Sequence, residues 1–167
     1  LFALAARHQR QPPAHHPLPA GEQHPHQHHR LEQRPAQRLF PAGEKSNCAF
    51  IARVPLDSGS LVGNWTENSY AQFEPGSQQY NMFRGERFVE TLSRVQALKD
   101  LCLPHYASLA EAAMRYALSE RQVSALIPGM KNRNEVDLNI AISDGAVFPP
   151  ELKSQLPPHT WIRNYYH

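Results

Sequence analysis

The sequence predicts an α/β protein from about Leu31 onward, preceded by a segment with nothing to fold around. Two short apolar runs, Cys48–Val54 and Val123–Ile127, each stop at a proline, as strands buried in a parallel sheet do. Between them, apolar residues recur at helical spacing. Ahead of both, residues 1–30 hold seven of the chain's ten histidines together with Pro12, Pro13, Pro17, Pro19 and Pro25. That segment has almost no β-branched residues and no apolar face to bury.

Residues 1–30 are therefore expected to be disordered. Leu1–Ala6 is too short for a signal-peptide core and has no basic region before it. Two further readings of the segment stay open. His24, His26, His28 and His29 are close enough in sequence to chelate Zn, Cu or Ni. Its dominant residues, His, Gln, Pro, Arg and Leu, are also those encoded by codons beginning with C, so the segment reads as out-of-frame translation of a GC-rich gene. On that reading the authentic frame resumes near Leu31–Pro35.

From Leu31 to His167 the elements follow in order. Pro35 to Glu44 predicts a short helix cut by Pro41. Cys48–Val54 predicts a strand buried on both faces, apart from Arg53. Asn64–Arg84 is a long polar loop carrying Trp65, Tyr70, Phe73, Tyr80 and Phe83, which reads either as a binding lid or as a link anchored by its aromatics. Phe88, Leu92, Val95 and Leu98 predict an amphipathic helix from Gly85 to Leu101, ended by Pro104. Ser108-x-x-Glu111 is a capping box opening a helix whose stripe is Leu109, Ala112, Ala113, Tyr116 and Ala117. Asn132-x-x-Glu135 opens another, with Val136 and Ile140 expected to bury its face. Pro149-Pro150-Glu151 begins a last short helix. The tail Trp161–Tyr166, aromatic and basic, reads either as cover for a binding mouth or as packing against helices.

Composition narrows the function classes. A net charge of +2 is too small to argue for nucleic acid or membrane surfaces as partners. No apolar run approaches the roughly 20 residues of a membrane span. Cys48 and Cys102 are distant and lack a CxxC partner, as small apolar residues in a reducing compartment do, so a cytoplasmic location is expected.

Chemistry concentrates in two segments. In the first, Ile127-Pro128-Gly129-Met130-Lys131 leads from a strand into a helix start, where free backbone N–H groups and the helix dipole favour an anion. Lys131 adds a full charge there, and Glu135 and Asn139 share one helical face. In the second, Arg53-Val54-Pro55-Leu56-Asp57-Ser58-Gly59-Ser60-Leu61-Val62-Gly63 is rich in small residues whose backbone can approach a ligand closely.

Together these segments resemble the last two strand–loop units of the aldo/keto reductases. That family has a Pro-Leu-x-x-Gly-x-Leu-x-Gly loop after its seventh strand. After its eighth it has Ile-Pro-Gly-x-Lys/Arg with a later Gln/Glu-x-x-x-Asn. Order and separation both agree, and the resemblance covers about residues 31–167. It implies a partial (β/α)₈ TIM barrel, the last two strand–helix units, since 167 residues fall short of the roughly 250 of a whole barrel.

The resemblance further implies an NADP cofactor and a small-molecule carbonyl substrate. By motif position, Pro55, Leu56, Asp57, Gly59 and Leu61 pass under the pyrophosphate. Gly129, Met130 and Lys131 meet the adenosine 2′-phosphate, and Glu135 and Asn139 contact the adenine. Lys131 implies NADP rather than NAD, because a lysine facing only a ribose hydroxyl gains little. Arg53 stands where many members stack an aromatic residue on the nicotinamide. A guanidinium can stack, but it repels an oxidised, cationic ring. Val54 replaces a frequent serine.

The family's Asp, Tyr, Lys and His tetrad comes from the first half of the barrel, and none of its motifs occurs here. No catalytic residue and no metal ligand is assigned to this part of the chain. The expected function is that of an NADP(H)-dependent aldehyde or ketone reductase, present as a cofactor-binding fragment inactive alone. The alternatives are a non-catalytic NADP-binding sensor or accessory module and, from residues 1–30 only, a His-rich metal-binding protein.

Overall fold

A three-stranded sheet organises the chain, in the order β1 (Phe2–Ala6), β2 (Ala49–Arg53), β3 (Val123–Ile127). The computed structural model describes residues 2–6, as backbone, and residues 40–160. β2 and β3 run parallel, with Phe50 opposite Val123 and Arg53 opposite Ile127, and the register shifts between Phe50 and Ile51. This is the strand pair expected from the two apolar runs. β1 pairs antiparallel with β2, Phe2 opposite Arg53 and Ala6 opposite Ala49.

The β1 strand departs from the expectation that all of residues 1–30 lacks structure. An open strand edge offers unpaired N–H and C=O groups to any extended segment in reach, and β1 takes them on β2. A barrel of parallel strands has no antiparallel neighbour there, whereas the parallel pairing of β2 with β3 is consistent with the partial barrel that the resemblance implies. Residues 7–39 lie outside the described residues, and with them His24, His26, His28, His29 and the Leu31 boundary.

Burial corrects the expectation of a strand covered on both faces. Phe50 and Ala52 are buried while Ile51 is half-buried and Arg53 exposed. β3 buries Val123, and Ile127 is 55% exposed. Side chains alternate across a strand, and among the described residues one face of the pair has a layer packed on it. That layer holds Phe40, Phe50, Ala52 and Val123, flanked by Leu118 and Leu126. Burying a side chain such as Phe50 contributes about 1.5–3 kcal/mol.

Helix α1 (Phe40–Lys45) supplies Phe40, whose ring meets Phe50 edge-on at 5.1 Å. Gly43 lets α1 approach, since a Cβ there would collide with the Phe50 ring. Pro41 does not cut this helix. It occupies the first turn, where the missing N–H has no helical partner to lose.

Helices α2 (Gln78–Met82), α3 (Glu86–Cys102) and α4 (Leu109–Leu118) fill the connection between β2 and β3. Val95, Leu98 and Cys102 of α3 meet Leu109 and Ala112 of α4 in a second core, which buries the Cys102 thiol and raises its pKa. Ser108 caps α4 by accepting the Glu111 N–H at 3.1 Å, as its capping box predicted. The long loop is anchored by its aromatics: Trp65, Tyr70 and Phe73 pack on Met82, Phe83 and Phe88. Tyr80 stacks on Tyr70 at 5.3 Å.

After β3 come α5 (Arg133–Ala141) and α6 (Pro150–Gln155), the latter opening on Pro150 as expected. The expected buried face of α5 is corrected: Val136 is half-buried and Ile140 is 64% exposed. The segment following α5 is instead tied down by Arg115. Its guanidinium donates to both Asp144 oxygens at 2.8 Å and to Glu111 at 2.9 Å. The bidentate hydrogen bond from Arg115, helped by the Ala146 N–H, holds the Asp144 carboxyl well below the usual carboxylate range. Phe148 then stacks on Tyr106 at 5.5 Å. The tail Trp161–Tyr166 lies outside the described residues.

Candidate cofactor site

Because β2 and β3 are parallel neighbours with Arg53 opposite Ile127, the two loops that follow them leave the same edge of the sheet. Adjacent strands lie only about 5 Å apart, so the motifs singled out in sequence start side by side. The fold brings Arg53 next to Ile127, where both motifs begin.

The first loop, residues 54–63, has an unusual backbone. Val54, Asp57 and Ser58 adopt left-handed φ values of 53°, 51° and 55°, and Gly59 follows at 105°. Each such non-glycine residue costs on the order of 1–3 kcal/mol and persists only where surroundings over-determine it, most of all for a β-branched valine. The surroundings do so here. Pro55 is fully buried, Leu61 sits in the α3/α4 core, and buried Asp57 accepts a short hydrogen bond from the Ser60 hydroxyl. Gly59 N–H and Leu61 N–H both return to the Leu56 carbonyl, at 2.9 and 3.2 Å. Leu56 itself is half-buried. Of the five residues expected under a pyrophosphate, Pro55, Asp57 and Leu61 thus spend their side chains on the interior.

The second loop, residues 128–132, is exposed and ties itself. Asn132 caps α5 by accepting the Glu135 N–H at 3.0 Å. Glu135 reaches back, accepting from the Lys131 N–H at 2.6 Å and from the Asn132 side-chain amide at 3.0 Å. Asn139 donates to the Gly129 carbonyl at 3.3 Å. Glu135 and Asn139, expected to meet an adenine, therefore also clamp the turn in front of them.

Two of the donors expected to be free at this helix start are thus taken from within the chain, the N–H groups of Lys131 and Glu135. The Glu135 carboxylate is itself the anion at the head of α5, and it takes the Lys131 N–H. Side-chain charge adds to what this helix start offers an external anion. Lys131 is exposed and has no ion-pair partner among the described residues. Arg133 is also exposed and only loosely paired, 3.8 Å from Asp137, a contact worth little in water. Arg133 was legible in the run after Lys131, but its place as a second cation at this turn was not anticipated. Met130 is 53% exposed beside them, and a Cβ on Gly129 would meet nothing within 4 Å.

Arg53 is exposed at the end of β2. His105 and His159 lie at the ends of α3 and of the last short turn, away from any such arrangement. Among the described residues, no group of three His, Cys, Asp or Glu side chains is placed to hold a metal ion. Among them too, no helix is long and apolar enough to cross a membrane.

A sequence model of the aldo/keto reductase family matches residues 23–155, starting upstream of the composition change at Arg30. A glycerol dehydrogenase from Gluconobacter oxydans has a similar structure, with a TM-score of 0.67 at 21% identity. The similarity covers 77% of this chain and 39% of that one, so the chain spans about two fifths of that enzyme's length. No curated protein sequence matches the chain.

Proposed function

Since the chain belongs to the aldo/keto reductase family, we propose that it is the NADP-binding, C-terminal part of an oxidoreductase that reduces small aldehydes or ketones. The observation that carries this reading is the exposed Lys131 ammonium, which has no ion-pair partner among the described residues. It stands with Arg133 at the head of α5, on the sheet edge where the 54–63 loop also begins. Two cations at an exposed turn suit a phosphate monoester better than a ribose hydroxyl, which is the difference between NADP and NAD.

The residues fit the cofactor in a divided way. Loop 54–63 offers backbone and little side chain, as close approach to a pyrophosphate requires. Gly129, Met130 and Lys131 line the exposed turn that takes the 2′-phosphate. Glu135 and Asn139 hold that turn in shape and retain lone pairs and one amide hydrogen for an adenine edge. Arg53 lies at the strand end that precedes the first loop, where its planar guanidinium can stack on a neutral, reduced nicotinamide. Bound NADPH supplies the hydride for carbonyl reduction. This chain's own contribution is binding and orientation, since no proton donor for the developing alkoxide is assigned to it.

Titration of the purified chain with NADPH and NADH, followed by nucleotide fluorescence, tests the proposal. Lys131→Glu is expected to weaken NADPH by roughly 10- to 100-fold, the worth of one charge-assisted hydrogen bond, and to leave NADH nearly unchanged. No turnover of a nitrobenzaldehyde is expected from the chain alone. Equal loss of both nucleotides, or NADPH affinity indifferent to the substitution, would place the phosphate elsewhere.

A further inference from the structure

The left-handed path of the 54–63 loop is held from outside by a side chain that neither sequence motif contains. Gln79 Nε2 donates a 2.6 Å hydrogen bond to the carbonyl of Ser58. That carbonyl belongs to the peptide joining Ser58, at φ 55°, to Gly59, at φ 105°. Two successive residues in this conformation swing the peptide around, so its orientation decides which way the loop's N–H groups face.

Gln79 is itself fixed. It lies on α2, which Ser77 caps by accepting the Tyr80 N–H at 3.1 Å. The Tyr80 carbonyl accepts from the Tyr70 hydroxyl at 2.9 Å, and Met82 and Phe83 sit in the aromatic core. Trp65 of that core also backs onto Gly59, where an added Cβ would stand 3.3 Å from its Cζ2 and 3.0 Å from Gln79 Nε2. The aromatic cluster thus reaches the loop by two contacts, an indole wall and one amide.

We infer that Gln79 is a positioning residue for dinucleotide binding. It orients the Ser58–Gly59 peptide so that the loop presents its backbone to the pyrophosphate, and it does not touch the ligand. This rests on the cofactor placement proposed above. Without the donor, the strained peptide is free to turn over, and the backbone that meets the pyrophosphate turns with it. The Lys131 turn belongs to another element and, among the described residues, shares no hydrogen bond with Gln79, so recognition of the 2′-phosphate is left intact.

Calorimetric titration of the full chain with NADPH and with adenosine 2′-monophosphate, which has no pyrophosphate, tests the inference. Gln79→Met and Gln79→Glu, neither able to donate, are expected to weaken NADPH roughly five- to tenfold, the effect of one lost hydrogen bond, and to leave the monophosphate unchanged. Gln78→Met, an exposed neighbour on the same helix, should alter neither. If the charged variant fails to fold, the methionine variant, of matching shape, carries the comparison. Gln79 variants that bind NADPH as the wild type does, or that lose both ligands equally, overturn the positioning role while the cofactor site stands. A wild-type chain that binds neither nucleotide overturns the site and the role of Gln79 together.

Discussion

The two loops at the end of the parallel strand pair begin alike and end in opposite environments. Both follow a short apolar strand, both carry a proline within two residues of the strand end, and both contain a glycine. Residues 54–63 turn inward, with Pro55, Asp57, Ser60 and Leu61 buried and Val54, Asp57, Ser58, Gly59 and Gly63 in left-handed backbone. Residues 128–132 stay on the surface and are held by hydrogen bonds to their own helix. The difference lies in what packs alongside. The first loop has α3, α4 and the aromatic cluster against it; the second is held by the thinly covered α5. A loop's rigidity here comes from borrowed packing in one case and from local capping in the other.

The largest expected contrast is in side-chain truncation. Leu61→Ala removes a core contact and should cost about 2–5 kcal/mol of stability, whereas Met130→Ala should stay within about 0.5 kcal/mol. Urea unfolding of both variants measures this, and similar midpoints would mean that the loops are equally packed.

Glycine substitution sharpens the same comparison. Gly59→Ala places a Cβ at φ 105° against Trp65 and Gln79, with an expected cost of about 1–3 kcal/mol. Gly129→Ala enters open space and should be neutral or stabilising by a few tenths of a kcal/mol. Thermal unfolding of the pair distinguishes them, and a Gly59 variant as stable as the Gly129 variant would refute the wedged loop.

The smallest effect falls on the self-tied turn. Asn132→Ala removes the α5 cap and should cost about 1 kcal/mol. Hydrogen exchange should show the loss confined to residues 131–141, because the hydrogen bonds that hold that turn come from its own helix. Loss of protection spreading into α3 or α4 would show that the second loop, too, depends on long-range packing.

The sequence rendered helices and caps well because their determinants are local. Phe88, Val95 and Leu98 at 3.6-residue spacing, Ser108 with Glu111 and Asn132 with Glu135 each act within a turn or two of chain. Pro41 was misread because a proline breaks a helix interior but fits its first turn, and the distinction depends on where the helix starts. Val136 and Ile140 were misread for another reason. Periodicity tells which residues share a face but not whether another element covers it.

The α/β class, the parallel strand pair and the family resemblance were legible from residue order, since motif spacing and backbone rules operate along the chain. Tertiary structure alone placed Gln79 beneath Ser58, set Arg115 between Glu111 and Asp144, and turned Val54, Asp57 and Ser58 into left-handed backbone. Those features join residues far apart in sequence or impose a conformation that isolated residues disfavour. Only packing from several elements at once supplies the energy to hold them.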